Sequence, residues 1–364
     1  MQYNKYGFLH PVITADKCIG CHNCERVCPI LNPREEIPDS HLQIFSAFIK
    51  DKAILKKSTS GGAFFAFASR IIKEGGVVFG AKFDGYRVLH DYTETLDGLY
   101  SFMGSKYVQS YVGNTFIKVQ HFLSEGRIVL FSGTPCQIAG LNRFVGKGKR
   151  NLITVELLCR GVPSPLVWEK YMDKKMSDLN AEEIKEIRFR TKSKAYKSPV
   201  PTYSFVFSYK DNYGNLREFN EDCLSNVFYS YFRNHVFRSS CLRCQFRNTY
   251  NSGADITIGD AIINTGIGEH SDESTIVLHT DIAHSLWSKV KQTMFYYPIE
   301  CKELDSFYKG ALHLQKKDRM LKFLKLSNIL ALKYPLERFR FVWEFSLINH
   351  RIVSIINRVF KTTL

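Results

Sequence analysis

Residues 128–141, IVLFSGTPCQIAGL, pass from an apolar run through a glycine turn into an amphipathic run. They predict a strand over Ile128–Phe131, a tight turn at Ser132-Gly133-Thr134 and a helix beginning near Cys136. Thr134 is placed to cap that helix, and Pro135 suits its first turn, where no amide hydrogen is needed. The same grammar recurs on both sides. STSGG at 58–62 precedes an apolar helical stretch, Ala63 to Lys73, which Gly75 and Gly76 stop before a strand over Val77–Phe83. Leu152–Leu158 reads as a third strand, ending at Cys159-Arg160-Gly161. Thr202–Tyr209 and Leu216–Phe219 flank a turn at 211–214 and read as a hairpin. Ala254–Ile258 is another short strand, leading to Gly259-Asp260. Strands that alternate with helices predict a mixed α/β fold for the centre of the chain.

The chemistry is announced earlier, by Cys18, Cys21, Cys24 and Cys28 followed by Pro29. C-x2-C-x2-C-x3-C-P is the run that wraps a [4Fe–4S] cube in bacterial ferredoxins. Gly20, His22 and Asn23 are small or polar and let the backbone amides turn toward the sulfurs, which tunes the potential. A structural zinc site is the competing reading, but it commonly shows two separated ligand pairs. In two-cluster ferredoxins the fourth cysteine of each run ligates the other cluster. Cys28 therefore closes its own cube, helps to bind a second one, or is left over.

Four further cysteines fall where strands end and turns begin: Cys136 in GTPCQ, Cys159 in ELLCRG, and Cys241 and Cys244 in SCLRCQF. The carboxyl ends of strands converge on the ligand crevice of an α/β sheet, so these thiolates predict a second metal site. Two alternatives stay open. Cys136 at a helix N-terminus is also placed for a reactive thiolate, and Cys159 alone reads equally as a buried, inert residue. Cys223 and Cys301 lack partner spacing and read as structural. STSGG and Ser132-Gly133-Thr134 place backbone amides at helix N-termini, where an anion is stabilised. Ordinary helix capping explains each equally well. Lys106 and Tyr107 could add a cation and a stacking ring, with surface placement the default for the lysine.

The chain has 364 residues, enough for two or three folded units. Ten cysteines and an N-terminus without the basic-then-apolar layout of a secretory signal predict a cytoplasmic, reducing setting. No uncharged apolar run reaches the ~18 residues of a spanning helix. The formal charge is +15, and residues 301–364 hold thirteen Lys and Arg against five Asp and Glu, a net of +8. Leu321, Phe323, Leu324, Leu326, Ile329 and Leu330 recur there at helical spacing. This tail reads as a helical cap with a solvated basic face, or as a peripheral contact with an anionic membrane surface or partner. No nucleic-acid-binding motif accompanies the charge. Expected boundaries are a cysteine-rich module over 1–40, the mixed α/β region over 41–300 and the basic helical region over 301–364.

Taken together, the run at 18–29, STSGG at 58–62, GSKYVQS at 104–110, GTPCQIAGL at 133–141, CRGVPSP at 159–165, CLRCQF at 241–246 and ADITIGD at 254–260 resemble the coenzyme F420 hydrogenase/dehydrogenase beta-subunit family. The resemblance spans about residues 8–280. It implies [4Fe–4S] clusters and FAD: Cys18, Cys21, Cys24 and Cys28 for one cluster, and Cys136, Cys159, Cys241 and Cys244 for another beside the flavin. Ser60, Gly61, Gly62, Lys106, Tyr107, Gly133, Thr134 and Asp260 would line the FAD, making the central region a flavin domain. Two departures stand out. Many bacterial relatives, often from surface-polysaccharide gene clusters, carry two ferredoxin runs, and this chain keeps one. The family's GDFWG is Gly259-Asp260-Ala261-Ile262-Ile263 here.

The expected function is an iron–sulfur flavoprotein oxidoreductase passing electrons between a ferredoxin-like or other redox partner, the clusters, FAD and an organic substrate. The departures favour an alternative, a non-catalytic electron-transfer or scaffold subunit. No side chain is assigned as acid or base.

Overall fold

The computed structural model describes residues 1–33, 42–146, 150–192, 203–223, 225–233, 237–246, 252–261, 273–300 and 318–339. Short strands β1 (Gln2–Tyr3) and β2 (Leu9–His10) pair at the N-terminus, and α1 (Asn23–Arg26) lies inside the cysteine run. β3 (Gln43–Ile49) leads through α2 (Lys52–Lys57) to α3 (Ala63–Lys73). Next come β4 (Val77–Asp84), β5 (Arg87–Thr93), α4 (Leu96–Leu99), α5 (Thr115–Ser124), β6 (Val129–Gly133), α6 (Pro135–Val145) and β7 (Leu152–Leu157). α7 (Pro165–Asp178) precedes β8 (Ala181–Lys192), β9 (Tyr203–Asp211) and β10 (Leu216–Asp222). The chain continues through α8 (Val227–Arg233), α9 (Ser239–Leu242), β11 (Ile256–Asp260), β12 (Ser274–Leu278), α10 (Asp281–Val290), β13 (Met294–Pro298) and α11 (Asp318–Lys333).

Eight of these strands form one sheet in the order β13-β3-β12-β11-β7-β6-β4-β5. β11, β7, β6 and β4 run parallel, so their carboxyl ends share one edge. Both faces are covered, which is why β6 and β12 are buried at every position. Side-chain alternation divides the strands between two cores. Val78, Leu130, Val155 and Ile256 pack against Phe67 and Ile71 of α3 and Trp287 of α10. Phe79, Phe131 and Leu152 face the other way, onto Val119 of α5 and Ile138 and Leu141 of α6. α3 begins at Gly62, whose φ of +78° is the left-handed region that glycine adopts freely, and Gly75 at +77° ends it.

A second, three-stranded sheet has the order β10-β9-β8. Its core joins Phe189, Phe205 and Phe207 to Trp168 of α7, Phe228 and Tyr231 of α8, and Leu330 and Ala331 of α11. The Tyr231 hydroxyl meets Asn328 Oδ1 at 2.6 Å. The part of the basic region over 318–339 thus packs on this core, while 340–364 and the apolar side chains Leu321, Phe323, Leu324 and Leu326 lie outside the described residues. Among the described residues no helix is long and apolar enough to cross a membrane.

The hairpin expected over 202–219 forms as β9 and β10, with each strand longer than read. β11 begins two residues later than expected, because Ala254 packs in the core before the ladder starts.

Candidate redox site at the carboxyl edge of the sheet

The N-terminal run folds locally. Gly20 and His22 take left-handed conformations (φ +66° and +53°), turning the chain between Cys18 and Cys24. Asn32 Nδ2 donates to the carbonyls of Glu25, Arg26 and Cys28 and ties the end of the run to α1. Cys18, Cys21 and Cys24 are exposed and Cys28 is half-buried.

The internal set is assembled by the sheet. Cys136 opens α6, Cys159 follows β7, Cys241 lies in α9 and Cys244 just after it. Cys159 is half-buried, and desolvation pushes its thiol well above the usual range; the neighbouring Cys136, Cys241 and Cys244 push the same way. Burial raises the Cys241 thiol to about 11. Backbone amides of Gly161 and Val162 bond the thiols of Cys159 and Cys241. Thiols held like those of Cys159 and Cys241 resist ionisation unless positive charge sits among them, and amide-to-sulfur bonds are what thiolate clusters use. The set therefore fits an iron–sulfur group. Among the described residues no three His, Cys, Asp or Glu converge tightly enough to grip a single metal ion.

The two sets adjoin. Gln245, next to Cys244, donates from Nε2 to the Pro29 carbonyl, next to Cys28, at 3.0 Å. Arg143 Nη2 of α6 reaches the Pro33 carbonyl at 2.8 Å. On its far side the internal set touches the Ser132–Thr134 turn, since Cys136 Sγ lies 3.3 Å from Thr134 Oγ1.

The other motif residues gather along the same edge. Ser60 Oγ lies 3.1 Å from Ser274 Oγ at the start of β12, and the Gly61 amide donates to that oxygen at 2.8 Å. A Cβ on Gly61 would stand 2.2 Å from the Ala47 carbonyl, so the fold itself demands glycine there. Ser105 N donates to Thr59 Oγ1 at 2.8 Å, joining the GSKYVQS loop to STSGG. Gln137 Nε2 donates to Ser110 Oγ at 2.9 Å, joining that loop to the 132–134 turn. Lys106 is half-buried rather than on the surface. Its Nζ donates to the carbonyls of Phe102 (3.3 Å), Met103 (2.9 Å) and Gly104 (3.2 Å). Burial pulls the ammonium down to about 7, while the three carbonyls favour its charged form.

The amides are less available than the sequence implied. Gly61 N–H is taken by Ser274, Thr134 N–H donates to Gln137 Oε1 at 2.9 Å, and Pro135 has none. Capping accounts for the 132–134 turn. At α3 the amides of Gly62 and Ala63 show no partner among the described residues, which makes this the better seat for an anion.

Several residues were not legible as site residues. Arg190, near the end of β8, crosses from the small sheet: its Nη1 donates to Asp260 Oδ2 at 2.6 Å and to the Tyr107 hydroxyl at 3.2 Å. Lys192 Nζ donates to the carbonyls of Ser60 (3.1 Å) and Leu55 (3.3 Å). β8 reads AEEIKEIRFRTK, mostly charged and with three register shifts against β9, so its alternation is hidden. His90 stacks on Phe131 with 6° between the rings, and its Nε2 lies 3.1 Å from the Ser132 carbonyl. A carbonyl only accepts, so Nε2 carries the proton. Burial holds His90 neutral, with its pKa down to about 4. Glu156 on β7 is paired across the ladders with Gly133 and Thr257. It accepts from Ser252 Oγ and, at 2.7 Å, from Thr257 Oγ1, and burial pushes its carboxyl up to about 8.

The family model for the carboxyl-terminal region of the coenzyme F420 hydrogenase/dehydrogenase beta subunit matches residues 126–301, which contain the 132–134 turn, all four internal cysteines and Asp260. Residues 126–301 thus belong to this family. A 4Fe–4S binding domain model matches residues 11–31, so the chain carries a binding motif for at least one such cluster. Ser60–Gly62 and Lys106–Tyr107 fall outside both matches and are joined to the matched region by the contacts above. No curated protein matches the chain. Among solved structures, a chain of the F420-reducing [NiFe] hydrogenase complex from Methanosarcina barkeri aligns at 19% identity and a TM-score of 0.49. The alignment covers 79% of this chain and 94% of that one.

Proposed function

We propose that this redox protein is an FAD- and [4Fe–4S]-dependent oxidoreductase acting on an organic substrate, with electrons arriving at the N-terminal run from a ferredoxin-like partner. The observation that supports it is the continuity of contacts. Gln245 joins the N-terminal run to the internal cysteines, Cys136 joins these to Thr134, and Gln137 and Ser105 carry the line on to Lys106 and Ser60. Clusters pass single electrons, and a flavin exchanges one electron with a cluster or two with an organic molecule.

The chain's own residues have definable parts in this reading. Cys18, Cys21, Cys24 and Cys28 hold one cluster, and Cys136, Cys159, Cys241 and Cys244 the other. Gly62 at the start of α3 seats a phosphate. Lys106, poised at about 7, holds or releases a proton near neutral pH. Neutral His90 fixes the Ser132 carbonyl beside the turn. In this reading the basic region over 301–364, of which 318–339 packs on the small-sheet core, serves as a peripheral contact with an anionic membrane face, which salt-sensitive sedimentation with anionic vesicles tests.

The altered segment Gly259-Asp260-Ala261 favours a second reading, an electron-transfer subunit that leaves chemistry to a partner. Anaerobically purified protein separates the two. The oxidoreductase reading expects bound or reconstitutable FAD that a reduced ferredoxin bleaches, and no bleaching after Cys18→Ala with Cys21→Ala. Iron without any flavin uptake overturns it in favour of the second.

A further inference from the structure

Arg190 is held in a way that the fold alone does not require. Its side chain is 9% exposed, Tyr203 lies beneath the guanidinium with the ring centroid 4.0 Å from Cζ, and Nη1 is committed to Asp260 and Tyr107. Nε is buried without a hydrogen-bond partner, and Nη2 makes no hydrogen bond among the described residues. Stacking and the Nη1 bonds thus lock one edge of the fork and leave the Nε–Nη2 edge uncommitted. That edge carries two parallel N–H vectors, the geometry that takes a carboxylate or phosphoryl group bidentately. Asp260 is 58% exposed, so the ion pair opens to solvent on the carboxylate side. The place is the carboxyl edge of the sheet, where Tyr107 connects to the GSKYVQS loop and Lys192, two residues along β8, touches Ser60.

We propose that the Nε–Nη2 edge of Arg190 is a receptor for an oxyanion, a phosphoryl or carboxylate group carried by the organic substrate, with Tyr203, Tyr107 and Asp260 as its positioning residues. An oxyanion there gives Nε the acceptor that it lacks. The substrate class is accordingly anionic. The assignment to substrate rests on the flavin reading, in which the flavin's own phosphates sit at α3. The Asp260 carboxylate orients the fork but repels the ligand, so its charge limits affinity.

Titration calorimetry of the full chain with inorganic phosphate and with acetate tests this, using FAD-loaded protein and, in parallel, flavin-free protein. At least one of the two anions should bind the FAD-loaded wild type. Arg190→Lys keeps the charge and loses the fork; it should weaken that binding at least tenfold while FAD affinity stays within threefold. Asp260→Asn keeps the acceptor oxygen and removes the charge; it should tighten anion binding about threefold or more, and it decides the matter if the Arg190 variant does not fold. Loss of FAD affinity in Arg190→Lys comparable to its loss of anion binding assigns the edge to the flavin and overturns the substrate assignment. Absence of binding by either anion, indifference to Arg190→Lys, or weaker binding in Asp260→Asn overturns the receptor itself. If FAD never binds but the anion responses hold, the flavin reading fails and the oxyanion site stands.

Discussion

The two cysteine sets offer the same ligand chemistry in opposite structural settings. Cys18, Cys21 and Cys24 sit within seven residues of chain, exposed, on a loop turned by Gly20 and His22. Cys136, Cys159, Cys241 and Cys244 span more than a hundred residues and become neighbours only because the segments after β6 and β7 lie beside the α9 segment. The first set is written in spacing and tolerates change around it. The second is written in topology, so whatever disturbs the sheet edge disturbs the thiols. In the two-cluster reading proposed above, the difference makes iron binding at one end of this protein separable from folding, and at the other end not.

Substituting glycines near each end sharpens the contrast most. Gly61→Ala places a Cβ 2.2 Å from the Ala47 carbonyl and 2.6 Å from the Ser274 amide, both backbone. It should destabilise the protein by about 3 kcal/mol, at the upper end of overpacking costs, and deplete the internal set. Gly20→Ala meets nothing within 4 Å and carries only the cost of its φ of +66°, ~1 kcal/mol. Thermal unfolding reads both; equal losses would dissolve the distinction.

Titration gives the next largest effect. Glu156 lies beside the 132–134 turn with a pKa of about 8, above its unfolded value of ~4.3. Its contribution is present at low pH and is lost as pH rises toward 8. His90, pushed down to about 4, behaves in the opposite sense: its contribution holds above ~6.5 and is lost as pH falls toward 4. Relative to Glu156→Gln, the wild type should lose on the order of 2 kcal/mol of stability between pH 6.5 and 8. Parallel denaturation curves across that window would place the Glu156 carboxyl in contact with solvent.

How much was legible follows the same division. The N-terminal run needs only its spacing, and α3, β4 and the turn at 132–134 follow from local apolar patterns and glycine stops. Cys136 and Cys159 were legible as residues just beyond strand ends, whereas Cys241 and Cys244, read the same way, lie in and just after the short helix α9, and nothing local says which elements are neighbours. Arg190 and Lys192 were not, because β8 is mostly charged and its register slips three times. His90 and Glu156 were hidden for another reason: their roles come from burial between elements distant in sequence. Cys223, read as structural, is buried with Sγ 3.3 Å from the Phe189 carbonyl, and Cys301 lies outside the described residues.

The smallest effect comes from the bond between the two sets. Gln245→Ala removes the contact with Pro29 and should cost ~1 kcal/mol or less, with both iron sites still filled. Its signature is slower electron passage from the N-terminal run inward, read by stopped-flow reduction with a ferredoxin-type donor. A wild-type rate would mean that this contact does not set the path.

Iron and acid-labile sulfide counted per chain in anaerobically purified protein, with either cysteine set disabled, test the central claim directly. Two [4Fe–4S] clusters mean about eight irons in the wild type. Cys18→Ala with Cys21→Ala should leave about four and an intact fold, and Cys241→Ala with Cys244→Ala about four with reduced thermal stability. Zinc in place of iron, or an iron content unmoved by the Cys241 and Cys244 substitutions, would contradict the account.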